Sequence, residues 1–465
     1  MPNQKKLKKF AELAVNIGAN VQKDQIVVVN ASTNTSALAR LITEKAYDAG
    51  AKRVEVQWND PYVSRLSYLG MSLDALTEVP EHMIKKYEYF VDKGACFISI
   101  TSPIPGLNSD VPGEKMQKAA QARSQKLDFF QTHMMGNRSQ WTIVGAPNVA
   151  WAEKVFPGKS GEDAVEALWD AILNASRVYD NNDPVKDWEA HNEKLARHNK
   201  ILNDYQFKAL HFENALGTNI TVELVKNHVW AGGNEESTQG VTFNPNIPTE
   251  ESFTMPLKTG VNGKVVATKP LNYQGNLIED FWLEFKDGAV VDYDAKKEKD
   301  TLKNLVEFDE GSCYLGEIAL IPFDSPISNT GILFLNTLFD ENASCHMALG
   351  RAYPMNVEGG TEMDKESLKA LGYNHSMAHS DFMFGSKDLS VKGIKEDGSE
   401  VQIFKRRKLR YLMTNRMALK ETTLLNYTHP NIQTLIKSSG WRRLDPYHII
   451  GAVYEFCERR HQVWV

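Results

Sequence analysis

Apolar positions open the chain at helical spacing: Leu7, Phe10, Leu13, Ala14 and Ile17 share one face. Residues 25–30 then form a short β-branched run, continuous enough to predict a strand buried on both faces. From there the pattern alternates. A helix is predicted over about 35–49, stopped by Gly50, then a strand at 53–58 and a helix at 81–93 that again ends in glycine. Strands follow at 95–100 and 140–144. Strands separated by helices predict a parallel sheet with right-handed crossovers. Two long helices close this stretch. One carries Val165, Leu168, Trp169, Ile172 and Leu173 on one face; the other, about 184–205, is rich in Lys, Glu, His and Asn and reads as largely solvated.

From about residue 206 the period changes from helical to alternating. Ile220, Val222 and Leu224 fall on one face of a strand, and a further strand is predicted at 263–267. Runs at 281–285 and 289–293 flank Asp287-Gly288, and runs at 388–391 and 400–404 flank Asp397-Gly398; both pairs are hairpin signals. Short helices are predicted near 300–308 and 363–371. Residues 413–465 carry two amphipathic patterns, through Ile432, Leu435 and Ile436 and through Ile449, Ile450, Val453, Tyr454 and Phe456. They are too short to supply much core alone. The expected organisation is an α/β N-terminal domain with a parallel sheet (1–205), a mostly antiparallel β (α+β) domain (206–412) and a short helical C-terminal tail (413–465).

Composition changes this picture little. The 465 residues suffice for two or three domains, and 42% hydrophobic with 24% charged residues is the balance of an ordinary soluble protein. A net charge of −6 gives no reason to expect nucleic acid or an anionic membrane as partner. The basic cluster Lys405-Arg406-Arg407-Lys408 with Arg410 reads as a solvated loop or strand end. Cys96, Cys313, Cys345 and Cys457 include no C-x-x-C pair and are read as reduced thiols of a cytoplasmic protein, Cys345 with a structural role. No apolar run reaches about 18 residues, so no transmembrane helix is expected, and no signal-peptide core follows the first residues. Asn30-Ala31-Ser32 follows the first strand, where doubly wound sheets bind ligands, but no G-x-G-x-x-G or G-x-x-x-x-G-K is present, which speaks against a nucleotide site.

Candidate chemistry gathers between Leu315 and Asp381. Glu317 sits inside an apolar run, and a buried carboxylate must neutralise, pair or bind a cation. Glu250 or Glu251, Glu317, Glu341, His346, His379 and Asp381 are the candidate ligands, a carboxylate–imidazole set suited to Zn²⁺, Co²⁺ or Mn²⁺. His379 and Asp381 are two apart, so on a strand they point to one side. A carboxylate at Glu317 is placed to bridge two ions. Spacing by itself leaves open a set of paired polar residues lining a β-domain interior. His191, His198 and His211 lack an acidic partner pattern and read as surface or core histidines.

The strings Pro248-Thr249-Glu250-Glu251-Ser252-Phe253-Thr254, Leu315-Gly316-Glu317-Ile318-Ala319-Leu320, Asn336-Thr337-Leu338-Phe339-Asp340-Glu341-Asn342-Ala343-Ser344-Cys345-His346 and His379-Ser380-Asp381-Phe382-Met383 resemble those of the thermophilic metalloaminopeptidases. These are the dinuclear enzymes of the aminopeptidase T and aminopeptidase S type. The resemblance runs from about residue 4 to about 404. It implies two divalent ions per chain (Zn, Co or Mn) in the second domain and a homodimer enclosing a large cavity. It implies Glu251, Glu317, His346, His379 and Asp381 as metal ligands with Glu317 bridging, Glu341 as a ligand or close beside the ions, and Tyr353 as the catalytic tyrosine. The choice between Glu250 and Glu251 stays open, as does the choice of Glu251 or Glu341 for carrying the water proton. Without the resemblance Tyr353 reads as a core or interface tyrosine. The implied function is a cytoplasmic, metal-dependent aminopeptidase acting on peptides with a free N-terminus, without nucleic-acid or membrane partners. A two-metal hydrolase of another bond such as a phosphoester, a non-catalytic scaffold and a tail-mediated interaction protein are the rival readings. Beyond the resemblance, residues 428–465 faintly resemble the opening of a transglutaminase-like domain, without its catalytic residues, and no activity is assigned to them.

Overall fold

The computed structural model describes residues 4–274, 276–405 and 408–409. The expected helical tail at 413–465 and most of the basic cluster lie outside the described residues. The alternating first half builds a five-stranded parallel sheet. Its order is Arg53–Asn59, Ile26–Ser32, Cys96–Thr101, Trp141–Gly145 and Asn246–Ile247. Helices cover both faces, and Val27, Val28 and Val29 are fully buried, as a β-branched run between two helical layers must be.

The last strand of that sheet comes from far along the chain, and so does part of its core. Ile247, Ile327, Phe334, Leu338 and Phe339 join Phe10, Ile42, Leu168 and Ile172 in one apolar cluster. The Phe339 ring lies over Gly145, where any Cβ would collide with it. Burying that ring fixes the segment that carries Glu341.

Two antiparallel sheets follow. A nine-stranded sheet includes both hairpins read from the sequence, with Lys286 paired to Ala289 around Asp287-Gly288 and Ile394 paired to Glu400 around Asp397-Gly398. A four-stranded sheet runs Ser252–Thr254, Leu315–Leu320, His346–Gly350, His379–Met383. An α/β first half with a parallel sheet, then antiparallel sheets, is the fold class expected.

One helix differs from its reading. Pro184–Tyr205, capped by Asp183 at its start, buries a stripe of Trp188, His191, Asn192, Leu195, Asn199 and Leu202. Its polar members are satisfied rather than solvated. Asn192 and Asn244 exchange side-chain hydrogen bonds at 2.8 and 2.9 Å, Asn199 donates to the Gly232 carbonyl at 3.0 Å, and Asn203 donates to the Trp230 carbonyl at 3.1 Å. Hydropathy cannot separate such a face from a wet one, because both consist of amide and imidazole groups.

Candidate metal centre

The four-stranded sheet builds the site by register. Glu317 lies opposite Ala348, and Ala348 lies opposite Asp381. His346 lies opposite Ala319, and His379 lies opposite Gly350. Residues two apart on a strand share a face, so Glu317, His346, His379 and Asp381 all project from one side. The positions between them are Ala319, Ala348 and Gly350, which leave the face open. Glu251 reaches the same place from just before the edge strand. It is held there by Gly232, whose φ of +134° and close approach to the Glu251 carbonyl exclude a side chain.

The contacts divide into two groups that share one residue. Nε2 of His346 lies 3.2 Å from a Glu251 oxygen and 3.2 Å from Glu317 Oε1. Nε2 of His379 lies 3.5 Å from Glu317 Oε2 and 3.4 Å from Asp381 Oδ1. Glu251, Glu317 and His346 thus form one possible ligand group, and Glu317, His379 and Asp381 another. Glu317 offers one oxygen to each. Both imidazoles are oriented from behind: Nδ1 of His346 is 3.0 Å from the Glu341 carbonyl, and Nδ1 of His379 is 2.7 Å from the Arg351 carbonyl. A carbonyl accepts only, so each Nδ1 carries the hydrogen and each Nε2 lone pair is free to ligate.

Charge completes the fit to a cation. The cavity at this point, about 60 Å³, is lined by Glu235, Glu251, Glu317, Glu341, His346, Tyr353, His379 and Asp381, with no Lys or Arg among its described lining residues. Burial first, then the Asp381 and Glu251 charges, hold the Glu341 carboxyl well above the usual carboxylate range. Glu317 is raised by burial and by Asp381, against a hydrogen bond from His346. Burial alone would lower both imidazoles. Glu251 and Glu317 overcome it at His346, which is held well above its usual range; Asp381 and then Glu317 overcome it at His379, which is lifted to about 9. Protons here stand in for missing positive charge, and divalent cations on these oxygen and nitrogen donors would replace them.

Glu341 lines the cavity but belongs to neither ligand group. Tyr353 packs edge-on against His379, ring centroids 4.9 Å apart, and against Phe253 at 5.9 Å. Burial and the Glu317, Asp381 and Glu341 charges push its hydroxyl well above the usual phenol range. The two adjacent glutamates have separate surroundings. Glu250 pairs with Arg177 Nη2 at 2.5 Å, and its other oxygen lies 3.9 Å from His191. His191 is itself locked, with Nε2 2.8 Å from the Thr249 carbonyl and Nδ1 3.1 Å from Arg177. Cys345 is buried, its thiol pushed up to about 11 by burial, which suits a structural role.

Sequence reasoning missed Glu235. Asn137 donates to its carboxyl at 2.5 Å, and burial, with Glu251 and Glu317 adding, lifts it to about 7. Its only sequence signal is the preceding Gly232-Gly233, a mark of close backbone approach. Two larger cavities adjoin. One of about 360 Å³ is mostly apolar, walled by Phe97, Phe130, Met134, Trp141 and Met377 beside His379 and Tyr353. The other, about 950 Å³, opens from Glu341, Tyr353 and Asp381 along the C-terminal ends of the parallel strands.

Comparison with known proteins agrees with this geometry. The family model described as thermophilic metalloprotease (M29) matches residues 3–407. Aminopeptidase AmpS of Bacillus subtilis (strain 168) is 47% identical over 402 residues, covering 86% of this chain and 97% of that protein. Aminopeptidase T of Thermus aquaticus is 39% identical over 400 residues, covering 86% and 97%. The solved structure of wild-type AmpT from Thermus thermophilus superposes with a TM-score of 0.81 at 36% identity, covering 88% of this chain and 99% of that one.

Proposed function

The chain belongs to the thermophilic metalloprotease (M29) family, and from that premise we propose that it is an aminopeptidase removing the N-terminal residue of peptides with two divalent ions, zinc, cobalt or manganese. The observation that carries the two-ion reading is Glu317, whose oxygens face separate imidazoles in two ligand groups. Glu251, Glu317 and His346 would hold one ion; Glu317, His379 and Asp381 the other. When bound, such ions supply Lewis acidity and a water that ionises near neutral pH.

The protein's own groups do the rest. The apolar cavity beside His379 seats the substrate's first side chain. Glu235, fixed by Asn137, faces the α-ammonium, which limits cleavage to free N-termini. Tyr353, kept protonated by its surroundings, donates its O–H hydrogen to the carbonyl oxygen as negative charge develops there. Glu341 takes a proton from the attacking water and passes it to the leaving amine as the C–N bond breaks. The phosphoester reading lacks gripping groups, since no Lys or Arg is among the described residues lining the metal cavity.

We place the enzyme in the cytoplasm, on the ground that Cys96, Cys313 and Cys345 are free thiols. Among the described residues no helix is long and apolar enough to cross a membrane. A homodimer is supported by the Pro61–Gly70 helix, which buries none of its residues and leaves Tyr62, Val63, Leu66 and Leu69 exposed beside Trp58 and Met71. Light scattering should give twice 52.4 kDa; a single-chain mass would remove the dimer. The activity is tested by stripping the protein with chelator and refilling it with each metal. Aminoacyl-p-nitroanilides should be cleaved, N-acetylated analogues should not, and Glu317→Gln should lose both ions and turnover. Cleavage of acetylated substrates, or no cleavage with any metal while two ions bind, would overturn the reading.

A further inference from the structure

The 950 Å³ cavity has charge at two separate places. Glu341 and Asp381 mark its metal end; away from the metal centre its charged lining residues are Lys86 and Arg123. Between them lie Asn30, Ser99 and Trp141, at the C-terminal edge of the parallel sheet. The two cations have neutral partners only. Lys86 Nζ donates to Gln57 Oε1 at 3.1 Å and lies 5.6 Å from the Tyr87 ring centroid; Arg123 Nη2 donates to the Tyr87 hydroxyl at 3.4 Å. Neither makes an ion pair among the described residues. The amide of Gln57 spends its oxygen on Lys86, and its Nε2 is buried without a partner. The indole Nε1 of Trp141, on a wall shared by all three cavities, is buried without one as well. Buried donors left unpaired are costly unless a ligand satisfies them.

We infer that Gln57, Lys86 and Arg123 form a subsite for the C-terminal carboxylate of a short peptide. The inference rests on the aminopeptidase reading and narrows its substrate class. A short peptide is a zwitterion, and this cavity is its electrostatic complement: acids where the ammonium docks, cations and a spare N–H where the carboxylate ends. Trp141 Nε1 is placed to donate to a backbone carbonyl on the way. The volume is that of a site for a ligand of a few residues, each spanning ~3.3 Å when extended. Free oligopeptides, rather than the N-termini of folded proteins, are the substrates this arrangement selects.

The test uses metal-refilled full-length enzyme and peptides of about two to five residues, each as free acid and as C-terminal amide. The readout is the acid-to-amide ratio of kcat/KM within one preparation, which is independent of the folded fraction. Wild type should favour the acid about tenfold at the matching length, through KM, and the preference should shrink as salt rises. Lys86→Met with Arg123→Met should bring the ratio towards one, and Lys86→Arg should retain it. A ratio near one at every length in wild type, or a preference unchanged in the double variant, would overturn the subsite. Failure to cleave acid and amide alike would instead overturn the aminopeptidase reading and this inference with it.

Discussion

Glu250 and Glu251 are neighbours with opposite surroundings, and exchanging each for glutamine should produce opposite phenotypes. Glu251 lies 3.2 Å from His346 Nε2, in the ligand group with Glu317. Glutamine there keeps the shape and removes a charged ligand, leaving Glu317 and His346, fewer than the three protein ligands usual at a catalytic zinc. The other group keeps all its members, so refilled Glu251→Gln should hold one ion per chain where wild type holds two. Its fold should not suffer in chelator, because Glu251 adds like charge to Glu317 and Glu341. Glu250 instead neutralises Arg177, whose guanidinium also lies 5.5 Å from the Trp188 ring and whose Nη1 is already unpartnered. Removing one member of a buried pair strands the other charge and costs about 3–5 kcal/mol. Glu250→Gln should therefore unfold at markedly lower urea and, where folded, still carry two ions. Elemental analysis after refilling and desalting, with urea unfolding in chelator, reads both quantities. If Glu250→Gln loses an ion while Glu251→Gln keeps two and is the less stable, the assignment of the pair is reversed.

Tyr353→Phe should bind both ions and lower kcat by about 10²–10³ with little change in KM, the loss expected for one oxyanion donor; a kcat within a fewfold of wild type would remove Tyr353 from the chemistry. His191 sets a pH dependence of stability. Burial and then Arg177 push it down to about 3, so the folded state binds its proton less readily than the unfolded chain, whose histidine titrates near 6.5. Stability is thus full above about 6.5 and is lost as pH falls towards 3, by ~1.4 kcal/mol per unit and about 2 kcal/mol at pH 5. Urea unfolding in chelator at pH 7 and pH 5 should show a smaller drop for His191→Gln than for wild type; equal drops would contradict the linkage.

The fold was legible where burial imposes a period. Residues 26–32 are covered on both faces and read as a continuous apolar run, and Asp287-Gly288 supplies the positive φ a two-residue hairpin requires. Helices at Gly113–Lys126 and Asp128–Met135 went unread for the complementary reason. The first buries only Met116 and the second buries nothing, so neither leaves an apolar stripe. The two-residue strand Asn246–Ile247 has too few positions to show any period.

Within the site, His379-x-Asp381 was readable because a strand's period of two is local. What brings Glu317 and His346 to the same face is cross-strand register, and the residues that leave room there are Ala319, Ala348 and Gly350, which carry no chemical signal. The back wall is hidden more deeply. The helix Pro184–Tyr205 spends Asn192, Asn199, Asn203 and His191 on the backbone and side chains of residues 230–249, the segment that includes Glu235 and leads into Glu250 and Glu251. A hydrophobic stripe could bury that helix equally well, but it would leave the Gly232 and Thr249 carbonyls unsatisfied and their loop free to shift. Directional bonds hold a carboxylate at a fixed distance from an imidazole, which burial alone does not. The amides that make the helix look solvated are therefore the groups that keep Glu251 3.2 Å from His346.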